Sequence, residues 1–550
     1  MAAIARGYNR RVAIIEITLS LLLAVAAVGA VGKWVPIVPL PILQVVAGIF
    51  LSYIPFLSSL EVPPETFFLL FIPLLLFADG WLIPKRDLIR VLRPVLLLAF
   101  GLVLATVLAV GYIAHWIVPA LPLAAAFALG AVISPTDAVA VSEIMRRLSV
   151  PARVTTIVGG ESLINDASGL IAFKFAVATV VTGVFSWRVA AVDFVLLSGG
   201  GFVLGVAMAW AITKLRVGLT RFCAGDPTIQ TIISLLTPYA AYLAAEALGL
   251  GSILAIVGAG LYAGIADVRT SDVATRRHAW EVWEMLLYVF NGMVFLMLGL
   301  QLHSIIAAVS HADALGITIL ALLVTTTVIV VRLLWVFPAA YLPLLLSQRI
   351  REREGIHRPQ NVFLVGWAGI RGAVTLAAAL SIPLTTASGE PFPGRSLIIL
   401  LAASVILITL LVHGLTLPLL IRWMGVRSDG VSDQEQRVAR LATAQAAATA
   451  LRKELTQLKE PAERAYAQSL IDEYERDVAR LSSNARRRIY VDGLRQAERR
   501  LRLAALRAER DELQDLRDTD VINDEVLLVI QADLDHVESL LESEGSGRVF

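Results

Sequence analysis

The chain has 550 residues, 57% of them hydrophobic, with a mean hydropathy of +0.74 and a formal net charge of +2. A water-soluble chain of this length carries far more polar surface, so the composition points to the membrane, and the near-neutral charge gives no footing for a nucleic-acid partner. The single cysteine, Cys223, excludes an intramolecular disulfide framework and an all-cysteine metal site.

From Met1 to about Gly425, apolar runs alternate with short polar breaks; from Arg427 onward the chain is charged, Ala/Leu-rich and nearly free of Gly and Pro. Two domains are predicted, a transmembrane domain at 1–426 and a cytoplasmic helical domain at 427–550, joined through SDGVSD at 428–433. A bilayer core of about 30 Å takes roughly 20 apolar residues as a helix. Lipid offers no partner to unpaired backbone groups, and strand alternation is absent, so the spans are predicted as helices. They fall at about 12–32, 35–54, 65–83, 94–118, 121–145, 152–183, 188–213, 228–249, 251–266, 281–302, 314–343, 360–388 and 395–424, thirteen in all.

Loop charge orients them. Lys and Arg gather in alternate loops: Lys33; Lys85, Arg86, Arg90 and Arg93; Arg146, Arg147 and Arg153; Lys214, Arg216 and Arg221; Arg269, Arg276 and Arg277; Arg349, Arg351, Arg353 and Arg358. The other loops hold little beyond Arg188 and Arg395. Basic loops stay inside, which predicts a multi-pass protein of the cell (inner) membrane with a cytoplasmic C-terminal domain and an external N-terminus. Arg6, Arg10 and Arg11 run against this, and a cleaved signal peptide over residues 1–30 is the alternative. Its apolar stretch is long for that role, so a retained first helix is expected. The orientation of the remaining spans is the same either way.

A charge at mid-bilayer costs about 2.5–3.5 kcal/mol, so each one needs a reason. Lys174 lies eight residues beyond Asp166, roughly 12 Å along the helix, and snorkels outward. Asp79 and Glu143 sit close to cytoplasmic helix ends, and Asp87 and Asp193 fit loops or caps. The fifth span carries SPTDAVAV at 134–141, where Pro135 should break the helix. The freed carbonyls around Ser134 and Thr136 can then face a cation beside Asp137; an ordinary proline kink is the alternative. The sixth span reads GGESLINDASG at 159–169, so Glu161/Asn165 and Ser162/Asp166 are i,i+4 pairs on adjoining faces. Two carboxylates, an amide and a hydroxyl gathered at mid-membrane favour a transport site over a structural network.

Arg332, near the centre of the eleventh span, needs a partner, and Glu161 is the one expected; snorkelling is the alternative. The twelfth span is interrupted by Gly366, Gly369 and Gly372 around Arg371, a second positive partner for the buried acids, with Pro383 beyond. Spans one to six and eight to thirteen form two sets separated by one helix, so the sets run in opposite directions and the broken fifth and twelfth spans are equivalent. Broken helices at matching places in inverted halves mark the midplane site of a secondary transporter.

FFLLFIPLLLFADGW (67–81), SPTDAVAV (134–141), GESLINDASG (160–169), FNGMVFLMLGLQL (290–302) and AGIRGAVTLAAALSIP (368–383) resemble bacterial members of the monovalent cation:proton antiporter family, the sodium/proton exchangers of the NhaP/NHE type. The resemblance runs in order over roughly 1–425. It implies an all-α inverted-repeat antiporter fold, a homodimer, and a six-helix core in which the fifth and twelfth spans cross. It makes Asp166 the ion- and proton-binding aspartate, preceded by Asn165. Asp137, the Thr136 backbone and Ser162 would complete the site for transported Na⁺, and Glu161 would pair with arginine. An Asn-Asp pair is associated in this family with electroneutral one-for-one exchange.

Na⁺ and H⁺ competing for one carboxylate couple their fluxes if the empty, charged site does not cross. No cofactor is expected, only the transported Na⁺ (or K⁺ or Li⁺) and H⁺, with a role in pH and monovalent cation homeostasis. His115, His278, His303, His311, His357, His413 and His536 lie in loops, near span ends or in the tail, and none stands out as a pH sensor. In the tail, Leu451, Leu455 and Leu458, then Leu494, Leu501 and Leu513, recur at roughly helical spacing, as in bundles or coiled coils. That tail is read as regulatory, dimer-stabilising or a solvated appendage. Neither GxGD nor HExxH is present, which argues against a membrane protease. A cation channel and an organic-anion symporter are the remaining alternatives.

Overall fold

The computed structural model describes residues 2–35, 38–54, 69–148, 150–184, 187–222, 225–307, 314–354, 357–426, 431–482 and 485–519, with shorter stretches between 521 and 541. Cys223, His311, His536, residues 65–68 and the linker residues 427–430 lie outside them, as do the side chains of Glu143, His303, Arg6, Arg10 and Arg11. Chain contacts divide the molecule into Met1–Ser428 and Asp429–Phe550.

The described residues of the first unit are predominantly helical, with one isolated antiparallel bridge between Thr385 and Pro391. In chain order its helices are α1 (Ala2–Trp34), α2 (Leu40–Leu51), α3 (Ile72–Leu82), α4 (Lys85–Arg90), α5 (Leu92–Ile117), α6 (Leu123–Ile133), α7 (Ala138–Arg147) and α8 (Ala152–Thr182). They continue as α9 (Trp187–Phe222), α10 (Pro227–Ala247), α11 (Ser252–Thr270), α12 (Val273–Ala307), α13 (Ala314–Leu346), α14 (Gln348–Glu354), α15 (Pro359–Trp367), α16 (Ala373–Leu380) and α17 (Arg395–Trp423). Seven helices among the described residues are long and apolar enough to cross a membrane: α5, α8, most of α9, α11, α12, α13 and α17. Shorter apolar helices include α2, α3 and α6.

Local chemistry sets several boundaries. Helix α8 follows Pro151 and closes on Gly183, whose φ of 72° is the left-handed conformation that glycine adopts without steric cost. Asp226 caps α10 by accepting from the Thr228 amide at 2.7 Å, just ahead of Pro227. The twelfth predicted span, drawn to 388, stops at Leu380. Pro383 disfavours helix at the preceding residue and lacks a donor of its own, and Arg395 meets the freed carbonyls of Leu380 and Ile382 at 3.2 and 2.9 Å.

Apolar burial in the first unit forms two clusters. One is built by α4–α8, α13 and α15–α17 together with Ile42 and Val45 of α2, with Val95, Ala128, Val141, Val324, Leu364 and Ile406 at its centre. The other is built by α1, α3 and α9–α12 around Phe77, Ala241, Ile256 and Leu296. Helix α12 lies on the seam: Val294, Leu296, Met297 and Leu300 belong to the second cluster, and Phe295, Leu298 and Leu302 to the first. Within the second cluster a buried polar knot joins four helices. Asp267 accepts from Arg216 at 2.8 Å and from the Trp81 indole at 2.9 Å, and Arg216 also donates to Gln230 at 3.0 Å.

The first cluster is tied at the loop before α15. Glu354 accepts from Arg93 at 3.1 and 2.9 Å and from Arg153 at 2.9 Å, joining the starts of α5 and α8. Burial works against ionising Glu354, but the hydrogen bonds and charges of Arg93 and Arg153 outweigh it and hold the carboxyl below its ordinary 4.5. A depressed folded-state pKa stabilises the fold above the unfolded value and loses that contribution as pH falls through the folded one. Glu354→Gln is therefore expected to lower the melting temperature of the purified protein at neutral pH. The gap to wild type should close as pH falls below 4.5, a trend that a thermal-unfolding series checks.

The second unit contributes α18 (Val431–Leu455), α19 (Pro461–Ser482) and α20 (Ala485–Asp518). Leu513 is buried but Leu501 is largely exposed, so the leucines of α20 do not form one continuous buried stripe.

Candidate ion-binding site

Two helix breaks face each other inside the first cluster. After α6 the chain runs without helix through Ser134–Asp137, because Pro135 carries no amide hydrogen and crowds the preceding turn. After α15 it does the same through Ala368–Gly372. The two breaks touch: the Asp137 amide donates to the Ile370 carbonyl at 2.8 Å. Gly372 makes this approach possible, since a Cβ there would lie 2.2 Å from Asp137 Oδ2.

Helix α8 supplies the side chains that fill the crossing. Ser162 donates to the Thr136 carbonyl at 2.7 Å and accepts from the Ala138 amide at 3.2 Å, so it closes the break on both sides. Asn165 Nδ2 donates to Thr136 Oγ1 at 2.8 Å, while its Oδ1 is buried without a partner among the described residues. Ser168 donates to Ala99 O at 2.5 Å. That carbonyl belongs to a π-helical turn within α5, Leu97–Leu102, whose Leu97 carbonyl also accepts from the Trp335 indole at 3.1 Å. Through these two carbonyls the π turn ties α5 to α8 at Ser168 and to α13 at Trp335.

Glu161 and Arg332 form a forked pair, Nη1 to Oε1 at 2.5 Å and Nη2 to Oε2 at 2.8 Å, both side chains buried. Arg332 also donates to the Gly366 and Val365 carbonyls at 2.9 Å each, in the last turn of α15 before its break. Thr136 Oγ1 lies 3.4 Å from Glu161 Oε1, linking the pair to the other break. Arg371 does not join it. Its Nη1 donates to Gly369 O at 3.1 Å, its amide to Thr409 Oγ1 at 3.3 Å, and its Nε is buried without a partner among the described residues. Among the described residues it makes no ion pair, because Arg332 already occupies both oxygens of Glu161.

Asp166 stands apart from all of this. Its side chain is buried, makes no hydrogen bond or ion pair among the described residues, and lines a cavity of about 60 Å³ open to water-sized guests. Asp137, Thr136 and Ser162 share the lining; Asn165, Glu161 and the two arginines do not. The cavity's far wall comes from the second cluster: Ile72, Leu75, Leu76 and Asp79 of α3, and Asn291 and Val294 of α12. It therefore lies between the two apolar bodies. The breaks supply oxygens that a cation needs, and Asp166 supplies an unpaired carboxylate.

Asp79 does sit in the last turn of α3, as expected, but it also lines the cavity. Depth along a helix says nothing about which way a side chain faces, and the missed signal was spacing. Ile72, Leu75, Leu76 and Asp79 fall at i, i+3, i+4 and i+7, one helical stripe, and all four line the cavity.

A crossing of two broken helices beside a buried acid defines a secondary transporter of alternating-access design. The profile of the sodium/hydrogen exchanger transmembrane family matches residues 18–423, and the chain belongs to that family. It is a multi-pass membrane antiporter. It is 38% identical over 541 residues to the "Uncharacterized Na(+)/H(+) exchanger YjcE" of Escherichia coli, covering 95% of this chain and 98% of that one. It is 36% identical over 531 residues to the "Sodium, potassium, lithium and rubidium/H(+) antiporter" of Bacillus pumilus, covering 95% of this chain and 77% of the relative. The fold matches the sodium proton antiporter MjNhaP1 of Methanocaldococcus jannaschii at a TM-score of 0.57 and 20% identity, over 74% of this chain and 98% of that structure.

Proposed function

We propose that the chain exchanges Na⁺ for H⁺, one for one and without net charge, at the single carboxylate of Asp166. The observation that carries this reading is the contrast between the two acids of α8. Glu161 is held at both oxygens by Arg332, whereas Asp166 faces the cavity with no hydrogen-bond or ion-pair partner among the described residues. A proton or a cation neutralises Asp166, and Asp137, the Thr136 carbonyl and Ser162 Oγ complete the oxygen shell for the cation. Since Thr136 O already accepts from Ser162, an entering ion takes its second lone pair or displaces the hydroxyl.

Access alternates as the body that carries the breaks moves against the one that carries α3 and α12. Only the neutralised site crosses, because a bare carboxylate moving through the seam carries the full cost of a buried charge. The name of the Bacillus pumilus relative favours a broad alkali range, so K⁺ and Li⁺ are read as further substrates. The protein works as a homodimer in the cell membrane with residues 427–550 in the cytoplasm, without a cofactor. The family resemblance and the loop charges support this arrangement.

Reconstituted into proteoliposomes that hold an acid-inside pH gradient, the protein should dissipate the gradient on external addition of Na⁺, and also of K⁺ or Li⁺. The response should be unchanged by valinomycin-clamped voltage if exchange is one for one. Dissipation that needs no cation would point to a proton leak, and voltage-driven cation current would point to a channel.

A further inference from the structure

We propose that Asn291 is a one-sided ligand of the transported cation, one that sets cation affinity from a single face of the membrane. The inference rests on the antiport reading above. Asp137, Ser162 and Asp166 belong to the body that carries the helix breaks, but Asn291 reaches the same cavity from the stretch of α12 where Phe290, Met293 and Val294 pack into the second cluster.

The neighbours of Asn291 fix that aim. Phe290 packs edge-on against Phe71, the residue that precedes α3, with ring centroids 5.4 Å apart. Gly292 is pressed against α1 and α2, where a Cβ would lie 2.8 Å from Val25 Cγ1 and 3.0 Å from Gln44 Nε2. Val294, one turn on, lines the cavity with Asn291. The intervening position is thus turned into the seam. The Asn291 amide makes no hydrogen bond among the described residues, although it is half-buried. A carboxamide offers a hard carbonyl oxygen, suited to an alkali cation or to the last water such an ion keeps.

The consequence follows from which body moves. A cation that travels with Asp166 keeps its contacts to Ser162 and Asp137 throughout the cycle. It meets Asn291 only while Asp166 faces α12 across this cavity, and leaves that amide behind when the seam shifts. Removing the amide weakens the cation-loaded form on one side and shifts its equilibrium by the same factor, with no direct effect on the form that faces the other way.

The test uses full-length protein in proteoliposomes, with each orientation scored separately by protease access to a C-terminal tag, and Na⁺ as the probe. Asn291→Ala is expected to raise the half-saturating Na⁺ concentration about three- to tenfold from one face and to change it less than about twofold from the other. Asn291→Asp should lower it from that same face, a reversal of sign that a packing defect does not produce. Ser162→Ala, on the travelling body, should raise it from both. Where the alanine variant fails to insert, Asn291→Ser, whose hydroxyl is too short to reach the ion, takes its place. Parallel changes from both faces, or none from either, would overturn the proposal while leaving antiport intact. Loss of Na⁺-dependent exchange in the wild-type protein would instead remove the reading beneath it.

Discussion

Replacing Asp166 by asparagine is expected to reduce Na⁺-dependent proton flux to that of empty liposomes, while the variant purifies and melts like the wild type. Asparagine keeps the shape of the side chain but holds neither a dissociable proton nor a charge to balance a cation. Folding should be spared because Asp166 makes no hydrogen bond or ion pair among the described residues, so nothing is left unpaired. The adjacent acid cannot take over, since both oxygens of Glu161 are held by Arg332. Undiminished exchange in Asp166→Asn proteoliposomes would move the site elsewhere.

The largest effect on stability is expected at that pair. Glu161 and Arg332 are each about 1% exposed, and the guanidinium also donates to Val365 and Gly366. Removing one partner of a buried pair leaves the other charge uncompensated, which costs about 3–5 kcal/mol, so Glu161→Ala should melt far below wild type. Replacing both residues with apolar ones of similar volume should recover most of that loss, because no charge then remains to desolvate. Exchange should not return with stability. The carbonyls that end α15 lose the donor that holds them, and the break beside Asp166 loses its shape. A thermal-shift series on the single and double variants, run beside the flux assay, separates the two roles. Equal melting temperatures for wild type and Glu161→Ala would show that the pair bears no such weight.

Much of this site is legible in the sequence because its elements obey strong local rules. Proline at 135 and glycines at 366, 369 and 372 mark the breaks, and i,i+4 spacing puts Ser162 and Asp166 on one face of their helix. A mid-span arginine and a mid-span glutamate each need a partner, and the structure brings Arg332 and Glu161 together at 2.5 Å. What the sequence leaves out depends on which helices become neighbours. Asp79 and Asn291 enter the cavity only because α3 and α12 pack across the seam from α8. Arg371 looks like an ion-pair partner until the geometry of Arg332 fills both oxygens of Glu161. The clamp of Ser168 on Ala99 depends on a π turn in an apolar run whose composition differs in no obvious way from the helix around it.

The most direct measurement is the dependence of Na⁺ binding on pH in the purified protein, followed by calorimetry or by half-saturation of exchange. If one carboxyl group accepts either a metal ion or a proton, the apparent dissociation constant should rise about tenfold per pH unit on the acid side of the carboxyl's own titration and level off on the alkaline side. Cation affinity that stays constant across that range would contradict the shared site, and with it the coupling of the two fluxes.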